Sequence, residues 1–158
     1  MTRLVAVFAF ATLAIRLDAA PPVVESAAPA PELDALFQQT DGWIGADGAY
    51  SVPVSPQWTL WLFSDTWVGN IRDGRRTDAT IVNNTVGVQT DVKGHLTFSI
   101  AKQPDGKPAA LIKPADGRGW YWLQAGQADG NRLLLFLNQI EKTAGNGVFS
   151  FRSIGLWL

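Results

Sequence analysis

The sequence predicts an all-β protein, built as a partial β-propeller of about two four-stranded antiparallel blades, the second incomplete. Three observations predict it. First, apolar runs of strand length follow one another from Trp43 onward, and no long apolar stripe of period 3.6 appears after residue 40. Second, Asp-Gly occurs at 41, 47, 73, 105, 116 and 129, mostly between those runs. This pair tolerates the positive φ angles of tight turns. Third, "TLWLFSD" from Thr59 returns as "RLLLFLN" from Arg132. Leu60, Leu62 and Phe63 recur as Leu133, Leu135 and Phe136, and Asp65 is answered by Asn138. A four-strand unit repeating at roughly 70 residues is what a propeller blade with long loops gives.

The elements follow in order. Arg3 and the apolar run Leu4 to Ile15 predict an export signal over residues 1–20; the run is too short to span a bilayer comfortably. An uncleaved anchor or a mis-assigned start is the alternative. Export places the protein in the periplasm or outside the cell, off the membrane once the signal is removed. Residues 21–32 read as an extended Pro/Ala-rich linker. Pro31 is placed to open a short helical turn. The ordered domain is expected over 33–158, with blade one at about 43–101 and blade two at about 119–158.

Four strands are expected in blade one: Ala46 to Val54, Leu60 to Asp65, Thr80 to Thr90 and Leu96 to Ala101. Three follow in blade two: Trp120 to Gln127, Arg132 to Gln139 and Phe149 to Trp157. Innermost blade strands crowd an axis and need small residues, as in "GADGAYS" and "LQAGQADG". The next strand is covered on both sides and reads continuously apolar, as in "TLWLF" and "LLLFL". A single seven-stranded sandwich is the competing all-β reading. It would show clean in-out alternation, which most of these strands lack.

Composition excludes several functions. Charged residues make up 17% and the net charge is -1, so no basic surface points to nucleic acid. With no cysteine there is no disulfide, thiolate nucleophile, zinc-thiolate site or lipoprotein attachment. His95 is the one histidine, which excludes a multi-histidine metal site. It follows Gly94 in a turn and reads as a surface residue. No cofactor and no metal is expected.

At "DGWIGADGAYSVPV", "TLWLFSDTWVG" and "IVNNTVGVQ" the chain resembles the five-bladed propeller domains related to glycoside hydrolases. It is most similar to bacterial exported domains of unknown function in the style of DUF4185 and DUF5005. Their pattern reads roughly "DG..G.DG.YS" followed by "LWLFGDT", and Ser64 stands here where a glycine is usual. "GWYWLQAGQADGNRLLLFLNQI" resembles their second blade. The resemblance spans about residues 37 to 158. A five-bladed propeller takes about 300 residues, so a fragment or a truncated gene product, inactive alone, is expected.

The resemblance carries the first catalytic carboxylate of such glycosidases onto Asp47, which lies among Gly45, Ala46, Gly48 and Ala49. The plainer reading is one more Asp-Gly turn. Glycosidase chemistry normally takes a second carboxylate. Asp65 is a candidate for the channel wall, but reads first as an acid organising a strand end, paired with loop N–H groups or with Arg72, Arg75 or Arg76. Asp41 and Asn83 are substrate-contact candidates, as are the aromatic residues Trp43, Trp120 and Trp122; for each aromatic, core packing is the default. Glu141 is a weak further acid. The function expected is an exported, glycosidase-like carbohydrate-active domain with a polysaccharide or glycan ligand. The alternative is a non-catalytic extracellular module that binds glycan or protein.

Overall fold

A computed structural model describes residues 23–90 and 94–158. The expected export signal lies outside the described residues. Residues 23–30 carry no helix or strand. A single helical turn, α1 (Pro31–Asp34), runs into a 3-10 turn at Ala35–Phe37. The described residues after it form strands and loops. The strands are β1 (Asp41–Ala46), β2 (Tyr50–Ser55), β3 (Trp58–Phe63), β4 (Thr66–Arg72), β5 (Arg75–Val82), β6 (Thr85–Thr90), β7 (Leu96–Ser99), β8 (Ala101–Lys102), β9 (Pro108–Ala109), β10 (Trp120–Asp129), β11 (Arg132–Lys142) and β12 (Phe151–Trp157).

The fold is all-β, and its sheets are antiparallel and open. The first sheet has the order β2-β3-β6-β7. Between β3 and β6 the chain leaves to form the hairpin β4–β5, on which β1 pairs to give a second sheet, β1-β4-β5. The third sheet is β10-β11-β12, and β8 pairs with β9. The repeated segments of the sequence, in β3 and β11, are each the second strand of their sheet.

Several expected boundaries are corrected. The strand expected over Ala46 to Val54 begins at Tyr50, because the Asp47-Gly48 turn, with Gly48 at φ 73°, precedes it. The run expected over Thr80 to Thr90 is two strands, broken at Asn83-Asn84. The Asn84 side chain, fully buried, explains the break. Its amide nitrogen donates to the carbonyls of Ile112 (2.9 Å) and Tyr121 (2.8 Å), and its oxygen accepts from the Ile112 amide (2.8 Å). These bonds draw the backbone out of the ladder. The β4–β5 hairpin was not expected; it closes on Asp73-Gly74, both at positive φ, between the paired Arg72 and Arg75.

Two packed clusters hold the sheets together. Val52, Leu62 and Leu123 are buried where the first and third sheets meet, backed by Leu60, Val86, Ile112, Leu135 and Leu137. Gly126 lets β10 approach closely; a Cβ there would come within 2.8 Å of Val52. The second cluster is aromatic. Trp43 stacks on Phe98 with centroids 4.2 Å apart and planes 11° apart, and Phe63 and Phe37 pack at their sides. Each such buried side chain contributes about 1.5–3 kcal/mol by leaving water.

Candidate functional site

The site is built where the first and third sheets meet. Gly48 turns the chain so that Asp47 lies beside the bend after β3. The Asp47 amide donates to the Asp65 carbonyl (3.0 Å), and the Ser64 amide donates to the Asp47 carbonyl (3.0 Å). This two-bond bridge holds the two acids side by side. A side chain at Gly48 would meet Ser64 Oγ and the Tyr50 ring, each at 3.1 Å. Ser64 is buried, and its hydroxyl donates to the Leu123 carbonyl (3.0 Å), which ties the bend to β10.

Asp47, Gly48, Tyr50, Ser64, Trp122 and Gln124 line a cleft of about 270 Å³. Partial desolvation pushes the Asp47 carboxyl above its ordinary range, and the negative charge of Asp65 raises it further. Hydrogen bonds from the Asp65 and Asp47 backbones offset part of that rise. Asp47 remains exposed as a residue, so the dehydration is that of a cleft wall and not of a core.

Asp65 is half-buried. Its Oδ1 accepts from the Trp122 indole Nε1 (2.9 Å) and from the Asn83 amide (3.3 Å). Those are its side-chain partners, and not the loop amides or arginines that the sequence suggested. Arg72 instead reaches Asn70, and Arg76 lies over the Trp67 ring. Asp65 thus fixes the ring of Trp122 at the wall of the Asp47 cleft.

A second cleft has a volume of about 350 Å³. Its walls include Asn83, Gln103, Lys113, Pro114 and Trp120. Trp120 and Trp122 project from the same face of β10, two residues apart, with centroids separated by 6.3 Å. Trp120 faces the second cleft and Trp122 the first.

The expected contact residues therefore divide. Asp47, Asp65, Asn83, Trp120 and Trp122 come together around the two clefts. Trp43 does not: it is buried in the aromatic cluster, 5% exposed, and the core reading holds for it. Asp41 is an exposed residue at the start of β1, opposite Asn70, and lines neither cleft. Glu141 is clamped by Arg152 and Arg118, which hold its carboxyl below the usual range. His95 is exposed in the turn before β7. Sequence reasoning missed Tyr50, Ser64 and Gln124. Tyr50 and Gln124 lay within the two small-residue strands already marked as innermost, which was the available signal. Among the described residues no cluster of three or more His, Cys, Asp or Glu is placed to hold a metal ion.

Comparison with known proteins adds the family. The chain resembles the crystal structure of a protein from Bacteroides ovatus ATCC 8483 described as a "putative hydrolase". The TM-score is 0.67 at 20% identity, over 80% of this chain and 37% of that one, which shows a shared fold. The chain thus spans well under half the length of that relative. No curated protein matches it significantly in sequence. The family profile described as a domain of unknown function, DUF5005, matches residues 31–158, and DUF4185 is not part of that match. The chain therefore belongs to the DUF5005 family.

Proposed function

We propose that the Asp47 cleft is a carbohydrate site of glycosidase-like type, in an exported domain of propeller-blade architecture. The observation that supports it most is the bridge of Asp47 to Asp65 beside the Trp122 ring. Glycosidic cleavage uses one protonated carboxyl to donate to the leaving oxygen and a second carboxylate to activate water or attack carbon. A raised Asp47 fits the donor. The Trp122 ring offers an apolar face for a sugar. Tyr50 and Gln124 bring polar groups to the same wall.

Asp65 is already engaged by Trp122 and Asn83, so among the described residues one carboxylate lines the cleft. That favours binding without turnover here, and it also suits a second reading, a non-catalytic glycan-binding module. Calorimetry against soluble polysaccharides, run beside a reducing-end assay, separates them. Binding that Trp122→Ala weakens, with no release of reducing ends, is the expected result. Failure of every glycan to bind would remove the carbohydrate reading. Turnover that Asp47→Asn abolishes would remove the module reading.

A further inference from the structure

We propose that the second cleft is a subsite for a uronic acid unit, so that the glycan handled here is acidic. The proposal rests on the carbohydrate reading of the Asp47 cleft and names its substrate class. The walls of the two clefts are tied together through Asp65. Asn83, from the wall of the second, and Trp122, from the wall of the first, donate to the same oxygen of Asp65. A chain of sugars crossing Trp122 therefore meets Trp120 next, one ring further along the same strand face.

The two clefts differ in charge. The first carries a carboxylate, Asp47, with Asp65 bridged to it. Among the described residues, none lining the second is a carboxylate. Its one charged lining residue is Lys113, which is exposed and has no ion-pair partner among the described residues. Next to Pro108, Lys107 pairs with Asp105. Arg118 pairs with Glu141, while Asp116 accepts from the Gln139 side chain and the Arg118 amide. Asn83 and Gln103 add amide donors to the same walls. An ammonium flanked by amide donors, with an indole alongside, matches a sugar carboxylate. The negative charge of Asp65, bridged to Asp47, disfavours a second acid group one unit away by like-charge repulsion. The arrangement thus selects a glycan in which a uronic acid alternates with a neutral unit.

The test is calorimetry on the whole chain with three probes. These are an unsulfated oligosaccharide of alternating uronic acid and N-acetylhexosamine, its carboxyl-reduced derivative, and a homopolymeric oligouronate. The alternating acid should bind on the order of tenfold tighter than its reduced form, the scale of one charge-assisted bond. Lys113→Gln should erase that difference, and Lys113→Arg should keep it. Lys113 is at the surface, so the substitution leaves the fold intact, which a thermal melt checks. Added salt should weaken the acidic probe alone. If the reduced probe binds as tightly as the acid, the uronate subsite falls while the carbohydrate reading survives. If the homopolymer binds more tightly than the alternating probe, the alternation falls. If none of these and no neutral glycan binds, both readings fall together.

Discussion

Asp47 and Asp65 are joined backbone to backbone, the amide of Asp47 donating to the carbonyl of Asp65 across 3.0 Å. The bridge is local in space but lies 18 residues apart in sequence, and it turns an Asp-Gly turn into one wall of a cleft. Two acids so placed bring the charge of Asp65 to bear on the Asp47 carboxyl. Asp65 carries hydrogen bonds on Oδ1, and Asp47 bears the consequence, because desolvation and the Asp65 charge both favour its protonated form.

The first prediction is a titration. The Asp47 carboxyl, followed by carbon-13 NMR, should titrate above the ordinary carboxylate value. Asp65→Asn should bring the midpoint down without restoring it fully, since desolvation is the larger cause. Because the folded form holds the proton more tightly than the unfolded chain, Asp47's contribution falls as pH rises from the ordinary carboxylate value through the raised one. A midpoint unchanged by Asp65→Asn would show that the two charges do not meet.

Asn84 gives a stability prediction. Its side chain satisfies two carbonyls and one amide on segments 28 and 37 residues away. Asn84→Ala leaves all three without that partner and should cost about 2–4 kcal/mol in urea unfolding. Asn84→Asp should not rescue it, because a carboxylate facing the Ile112 and Tyr121 carbonyls has no proton to donate. A loss below about 0.5 kcal/mol would mean that the loop finds other partners.

These residues show which parts of the molecule were legible in the sequence. The second-strand positions of β3 and β11 were readable from the continuous apolar runs that repeat there, but the cover on both faces expected of such a strand fails in β11, where Leu133 and Phe136 are exposed. The turns were readable too: all six glycines of the Asp-Gly pairs adopt positive φ. The β4–β5 hairpin was not. Its turn end carries Asn70, Arg75, Arg76, Thr77 and Asp78, which hides the apolar signature left at its base by the buried Val68 and Val82. The break at Asn84 was hidden for a different reason. An Asn in an apolar run looks like a tolerated polar residue until Ile112 and Tyr121 are known to face it. At the site, the small residues around Asp47 pointed to a close approach. The partners of Asp65 come from β10 and from the end of β5, and no local spacing encodes them.

Trp43 and Trp122 should respond oppositely to alanine. Trp43→Ala removes a ring stacked on Phe98 and packed on Phe63, and should cost about 3–5 kcal/mol of stability. Glycan affinity of the folded fraction should be unchanged, because Trp43 lines neither cleft. Lost affinity at temperatures where the variant is fully folded would show that the aromatic cluster transmits to the site.

Trp122→Phe separates the two roles given to Trp122. Phenylalanine keeps an aromatic face at the cleft wall but has no N–H for Asp65 Oδ1. If ring contact dominates, glycan affinity falls by no more than about threefold, under 1 kcal/mol. Asp65 then loses one of its two side-chain donors and keeps the Asn83 bond at 3.3 Å. Its charge becomes less well balanced beside Asp47, so the Asp47 midpoint should rise further. Trp122→Ala should instead lose most of the binding, since the ring itself is gone. Equal binding losses in the two variants would place the contribution of Trp122 in its bond to Asp65, and the sugar-stacking role would fall. Calorimetry on both variants, with the same NMR titration of Asp47, reads out each arm.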